Sequence, residues 1–408
     1  MNTEGLVDSR AAWIRLAAIV TLATLGGVGM WSVVVALPHV QAEFGATRAG
    51  ASFPYTLTML GFGAGGILMG RLADRHGVMK PLLGASVALG AGYVIAGLAP
   101  SLMVYALAQG VLIGMLGAAA AFGPLMADAS LWFRRRRGIA VALAASGNYL
   151  AGAVWPPILT LLTEAYGWRT AHIVVGIVCI VTMAPLSLLL RARAPGQRGG
   201  AVAAGDAGQE RPLGLSRNGL TAVLCVAGVA CCVAMAMPQV HIVAYCGDLG
   251  YGVARGAEML SLMLACGIVS RIVSGLIADR IGGLRTLLLG SVLQGASLSL
   301  FLFFDGLGSL YLLSALFGLM QGGIVPSYAV TVREHFPAKE VGSRVGIVLF
   351  ATLLGMAFGG WLSGLIFDLT GSYFAAFANG VVWNAANVII VATLLLRGSA
   401  PRPARLHA

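Results

Sequence analysis

Charged side chains are scarce in this chain, at 10% of its 408 residues, where a soluble domain carries about a quarter. Set beside 58% hydrophobic residues, that shortage excludes an ordinary soluble globule, because no soluble core buries so much apolar surface. Nucleotide chemistry is missing too. No G-x-x-x-x-G-K-[ST] stretch occurs, so no phosphate cradle of an ATP-driven pump is expected. Gly61, Gly63 and Gly66 fit G-x-G-x-x-G, but inside an apolar run rather than after a soluble strand, which reads as close helix packing by small residues. The six cysteines form no C-x-x-C pair and mostly lie in apolar runs, where a free thiol behaves as a small hydrophobe. The six histidines are scattered at positions 39, 76, 172, 241, 335 and 407. Neither a catalytic constellation nor a metal or cofactor site is expected, and so no enzyme.

What the chain has in excess is apolar length. An apolar run of about 20 residues crosses the ~30 Å hydrocarbon core of a bilayer as a helix, and a helix satisfies its backbone polar groups internally. Hydropathy reads as twelve spans, near 14–38, 49–70, 79–99, 102–129, 138–162, 170–190, 218–245, 256–277, 284–304, 308–331, 342–366 and 373–396. The first run, Leu16 to Val40, exceeds the about 7–15 residues of a signal-peptide core and no clear A-x-A site follows, so it is expected to stay. The net charge of +11 is explained by where the charges fall. With the N-terminus inside, 22 of the 26 Lys and Arg lie in inside segments, and only Arg48, Arg169 and Arg255 lie outside. That asymmetry follows the positive-inside rule and places both termini in the cytoplasm. The basic balance is therefore topology and not a nucleic-acid footprint. One basic residue is left over: Arg271, inside the eighth span.

The longest hydrophilic stretch, residues 191–217, is rich in Gly, Ala, Arg and Pro and reads as a flexible linker. It divides the chain into two six-span halves, residues 1–190 and 218–408. These halves repeat one plan. GRLADRHGVMK at Gly70–Lys80 returns as GLIADRIGGLR at Gly275–Arg285, and Glu43-Phe44-Gly45 returns as Asp248-Leu249-Gly250 at the same 205-residue offset. Ala36-Leu37-Pro38-His39-Val40 resembles Ala236-Met237-Pro238-Gln239-Val240. Both charged stretches resemble the loop signature G-x-L-A-D-R-x-G-x-x-[KR] of the major facilitator superfamily, with Ile277 for the leucine in the second copy. The resemblance implies an all-α membrane protein of the major facilitator fold, with twelve transmembrane helices in two pseudo-symmetric six-helix halves. It also implies that Asp74, Arg75, Asp279 and Arg280 form a cytoplasmic gate that latches the inside closed.

Two longer stretches narrow the resemblance. WFRRRRGIAVALAASGNYLAGAVWPP at Trp132–Pro157, and PQVHIVAYCGDLGYGVARGAEMLSLMLACGIVSRIVSGLIADR at Pro238–Arg280, are similar to the bacterial monocarboxylate-porter and oxalate:formate-antiporter branch. Transport of small organic anions is implied. Arg271 leads to the same place from physics alone. It stands eight residues, about 12 Å, from Asp279, near the midplane of a ~30 Å core, where a charge costs about 2.5–3.5 kcal/mol or more to insert and marks a pathway. Gly267, Ser274 and Gly275 share its helix face, and its guanidinium matches a carboxylate as a two-pronged fork. The eukaryotic carriers place an aspartate four residues before this arginine and a lysine in span one. Here the first position is Gly267, and nothing basic follows Arg15 in span one. With one buried positive charge, a second substrate carboxylate would be uncompensated. A monocarboxylate such as lactate or pyruvate, moved with a proton by alternating access, is the expected cargo. Organic-anion exchange and efflux are the alternatives. Asn148, Tyr328 and Phe122 are further candidate substrate contacts, with Tyr149 and Gln321 ranked below them. His241 suits a proton-linked or outer-gate position. Asp128 is expected to pair with Arg134–Arg137 or with the latch. A monomer in the bacterial inner membrane, multi-pass and without nucleic-acid partners, completes the expectation.

Overall fold

The computed structural model describes residues 7–192 and 212–399; most of the expected linker, residues 193–211, lies outside them. Twelve long helices follow in chain order: α1 Arg10–Phe44, α2 Arg48–His76, α3 Met79–Gly97, α4 Leu102–Trp132, α5 Arg137–Tyr166, α6 Trp168–Leu188, α7 Arg217–Asp248, α8 Val253–Ile281, α9 Gly283–Leu300, α10 Leu307–His335, α11 Ala338–Thr370 and α12 Tyr373–Ser399. Eleven are long and apolar enough to cross a membrane by length and composition. The twelfth, α9, is 18 residues long and carries Arg285 and Gln294, which dilute its apolar character.

Local chemistry sets where these helices begin and turn. Ser9, Thr47 and Ser216 accept from the backbone N–H three residues on, capping α1, α2 and α7. The two copies of the charged motif make the same turn. Gly77 between α2 and α3 has φ +80°, and Gly282 between α8 and α9 has φ +85°. A side chain strains that backbone region, so the repeated glycine is a conformational requirement.

Helices α2 and α4 pack together closely, as do α3 and α6, and α1 and α5; in the last six, α7 packs on α11 and α12, and α8 on α10. Glycines permit the closest approaches. A Cβ at Gly61 or Gly65 would collide with the carbonyls of Gly110 and Met115 on α4, and one at Gly318 or Gly322 with the carbonyls of Met263 and Gly267 on α8. The glycine-rich run in α2 is thus helix packing, but through Gly61, Gly63 and Gly65, since Gly66 faces open space. Three helices break mid-membrane. Helix α1 is interrupted at Gly27. Helix α4 passes from π-helical Ala108–Gly117 through Ala118–Ala121 to a break at Phe122, and α10 breaks at Gly322–Gly323. The first two breaks meet, because Gly26 lies against Ala121. Prolines 156, 157 and 238, by contrast, sit within continuous α5 and α7.

The end of the bundle that carries most of the Arg and Lys, here the basic end, holds a buried ion pair. Arg15 donates through Nε and Nη2 to Asp128 at 2.7 and 2.9 Å, gives a further bond to the Leu190 carbonyl, and stacks on Trp132. Asp128 therefore belongs to Arg15 and not to the arginine run. The backbone N–H groups of Arg135 and Arg134 instead donate to Asp8, and hold its carboxyl below the usual carboxylate range. Asp128→Ala would leave Arg15, 6% exposed, without its counter-charge, at a cost of about 3–5 kcal/mol. The expected result is a clear fall in the melting temperature of the detergent-solubilised protein, recovered by pairing Arg15→Met with Asp128→Leu. An unchanged melting temperature for Asp128→Ala would remove this pair from the stability of the fold.

Candidate functional site

Arg271 sits on α8 where that helix crosses α5, and its partners come from the first six helices. Nη1 donates to the Ala145 carbonyl at 3.3 Å. The guanidinium carbon lies 3.8 Å from the centroid of the Tyr149 ring, a cation–π contact whose value rises away from water. The ring reaches this place because residue 267 is glycine: a Cβ there would collide with the Tyr149 ring carbons. The Nε–H of Arg271 is buried without an acceptor among the described residues. No carboxylate contacts Arg271 among them. A charged group with a donor to spare, held on an aromatic platform in apolar surroundings, is suited to receiving an anion.

The remaining expected contacts divide. Asn148 lies one turn beyond Ala145 on α5, its carbonyl accepts from Trp31 Nε1, and its side-chain oxygen stands beside the Gly27 break. It thus borders the region of Arg271. Phe122 occupies the α4 break and packs on Phe62 with ring centroids 5.7 Å apart. Tyr328 is turned elsewhere. It is fully buried, its hydroxyl donates to Asn387 on α12, and Asn387 donates to Ser291 on α9. Gln321 is buried with both side-chain polar atoms unbonded.

His241 lies toward the end of the bundle away from the basic one, the far end, bonded within the last six helices and near the Arg48 cluster. It is fully buried. Nε2 lies 2.8 Å from the Gly360 carbonyl, which can only accept, so Nε2 carries the proton and Nδ1 accepts from the Tyr373 hydroxyl at 3.2 Å. Beside it, Arg48 Nη2 donates to both oxygens of Asp248, and the backbone N–H groups of Arg48 and Ala49 donate to Asp368 at 2.8 Å each. The Arg48 guanidinium also lies over Phe367 and Tyr373. Arg48, Asp248 and Asp368 were not among the expected site residues. Their one signal was that Arg48 is among only three basic residues at that end.

Among the described residues, side-chain bonds that join the two sets lie at mid-height or toward the far end: Arg271 to the Ala145 carbonyl, Ser261 to the Ala153 carbonyl, Thr56 to the Ala357 carbonyl, and the Arg48 cluster. Toward the basic end, Gly66 and Gly70 on α2, Gly342 and Gly346 on α11, and Gly138 and Gly275 on α5 and α8 face open space. Asp74, Arg75, Asp279 and Arg280 are all exposed there, with no side-chain hydrogen bond or ion pair among the described residues. The structure does not bring the two motif copies into a closed latch.

The profile described as Major Facilitator Superfamily matches residues 19–298 and 222–407. The chain belongs to that superfamily. It is a multi-pass membrane transporter, and the relatives' names speak the same way. Monocarboxylate transporter 13 of the rat, Rattus norvegicus, is 28% identical over 343 residues, covering 80% of this chain and 74% of the relative. Monocarboxylate transporter 11 of Mus musculus is 27% identical over 395 residues, covering 91% and 85%. The uncharacterised transporter YcxA of Bacillus subtilis is 25% identical over 362 residues, covering 87% and 88%. Among solved structures, a bacterial homologue of the human lysosomal transporter Spinster, in an inward-facing and occupied conformation, superposes with a TM-score of 0.69 over 96% of both chains at 14% identity. That likeness establishes a shared fold and nothing of its cargo.

Proposed function

We propose that this major facilitator carries small monocarboxylates of the lactate and pyruvate kind, with Arg271 as the anchor for the carboxylate. The observation that carries the reading is the Arg271 guanidinium over the Tyr149 ring, with an unfilled Nε donor and no carboxylate against it among the described residues. The monocarboxylate transporters among the relatives support the substrate class. Residues 1–190 and 218–408 act as the two rocking bodies, joined by 191–217, around a single site at mid-height. The basic end is the cytoplasmic side, which makes the state described here inward-facing: the far seam is bonded and the motif copies stand apart. Asp74, Arg75, Asp279 and Arg280 then meet when the inside closes. The bilayer is the bacterial inner membrane, with both termini cytoplasmic. Asn148 and Phe122 border the substrate's path, and His241, near the far seam, is the group best placed to link a proton to outer-gate movement. A proton travelling with the anion makes transport a symport.

Exchange of one anion for another is the second reading, favoured by the lack of any carboxylate around Arg271 among the described residues: an empty site leaves its charge uncompensated as it crosses. Uptake of labelled lactate into proteoliposomes decides between them. Symport predicts accumulation driven by an imposed inward pH gradient into vesicles that hold no substrate. Exchange predicts uptake only into vesicles preloaded with a monocarboxylate, whatever the gradient. No saturable uptake of any short monocarboxylate under either condition would overturn the proposal, and so would displacement of lactate by dicarboxylates alone.

A further inference from the structure

The hydroxyl of Tyr149 takes no part in holding Arg271, and the inference drawn from it rests on the monocarboxylate reading above. Tyr149 is 6% exposed within a membrane helix, yet its hydroxyl makes no hydrogen bond among the described residues. The ring is enclosed, but the hydroxyl is not among the enclosed polar atoms left unbonded and so lies on an accessible surface; tyrosine hydroxyls ordinarily find a partner. This one is not free to search for a partner, because the ring is held by Gly267 against its edge and by the Arg271 guanidinium over its face. Arg271 has the matching vacancy: Nη1 is engaged with Ala145, while Nε has no acceptor. Two donors without acceptors among the described residues, a guanidinium N–H and a phenol O–H, thus belong to one cation–π pair, the guanidinium carbon 3.8 Å from the ring centroid.

We infer that Tyr149 is a specificity-determining residue whose hydroxyl donates to an oxygen on the carbon next to the substrate carboxylate, so that the site prefers 2-hydroxy and 2-oxo monocarboxylates to unsubstituted ones. In such acids the carboxylate and the neighbouring oxygen are joined through a single carbon–carbon bond, a spacing that one small molecule offers to both donors at once. The carboxylate takes the guanidinium, the stronger, charge-assisted interaction. The hydroxy or oxo oxygen takes the phenol. An unsubstituted acid of the same size fills the first position and leaves the phenol unbonded.

The test compares labelled lactate with labelled propionate in proteoliposomes of the full chain, as the ratio of their kcat/KM values. Tyr149→Phe keeps the aromatic platform and removes the donor. It is expected to lower the lactate-over-propionate ratio about tenfold, the scale of one hydrogen bond, with the change carried by KM for lactate. Tyr149→Leu removes the platform as well and is expected to lower transport of both acids. A ratio that Tyr149→Phe leaves unchanged overturns the assignment while the anchor stands. Equal loss of both acids in Tyr149→Phe overturns it too, since a purely structural hydroxyl would act that way. If the parent protein carries neither acid, the monocarboxylate reading itself fails and this inference falls with it.

Discussion

Arg271→Ala should abolish saturable lactate uptake while leaving a folded protein. Truncating one partner of a buried, hydrogen-bonded charge pair costs about 2–5 kcal/mol, and at about 1.4 kcal/mol per factor of ten kcat/KM should fall by roughly one and a half to three and a half orders of magnitude. The same change removes a charge that costs about 2.5–3.5 kcal/mol to hold at the membrane centre. That relief opposes the lost cation–π contact and the lost bond to Ala145, so the melting temperature should hold or rise. Loss of function without loss of stability is the signature that separates an anchor from a structural arginine. Arg271→Lys should fall between: the charge remains, but an ammonium offers neither the planar fork nor the stacking surface that Tyr149 meets. The measurement is initial uptake against substrate concentration, with thermal unfolding of the same preparations. Uptake by Arg271→Ala within tenfold of the parent would remove Arg271 from the site.

The fold was legible because its signals are local or strictly periodic. Apolar length marks each helix, and the 205-residue repeat marks the two halves. Only α9 is faint, where Arg285 and Gln294 interrupt the run. Arg271 stood out in the sequence for the same reason, since its distance from Asp279 along one helix follows from the helical rise. What could not be read was azimuth and partnership across the chain. Tyr328 has the right depth, but its helix is rotated so that its hydroxyl meets Asn387. Asp128 lies near four arginines in sequence and pairs with Arg15, 113 residues away. Tyr149 looked secondary beside Asn148, and its importance emerges only once Gly267 is found against its ring. The repeat also conceals a divergence. Glu43 and Asp248 are equivalent in the two halves, yet Glu43 braces Trp168 and Arg169 within its own half, whereas Asp248 reaches Arg48 in the other. One copy of the plan became a brace and the other a bond between halves, a distinction that depends on which basic residue stands opposite.

That bond should govern which side of the transporter is open. Arg48 is almost fully enclosed when the far seam is closed, with a side-chain exposure of 7%, while Asp248 keeps 38%. Asp248→Ala would leave the guanidinium enclosed over Phe367 and Tyr373 without its counter-charge, for which about 3 kcal/mol, the low end for a buried pair, is the appropriate scale given the exposure of Asp248. Opening the seam returns Arg48 to water and relieves the penalty. The cost therefore falls on one conformation and not on folding, and the balance between far-side-closed and far-side-open states should move by about a hundredfold. Arg48→Ala should do less, because the carboxylate it abandons is already partly hydrated and the Asp368 bonds are to backbone N–H groups that remain. The readout is the rate at which a membrane-impermeant thiol reagent, added from the far side, labels Ser52→Cys in a background lacking the native cysteines. Ser52 is fully buried in the seam against Gly364, and cysteine is close to it in size. Labelling should be slow in the parent seam and about a hundredfold faster with Asp248→Ala. It should slow again when Arg48→Asp and Asp248→Arg are combined, which restores the pair with its charges exchanged. Equal labelling rates with and without Asp248→Ala would mean that packing of α2 on α11 closes this end unaided, and that the ion pair is only a surface ornament on it.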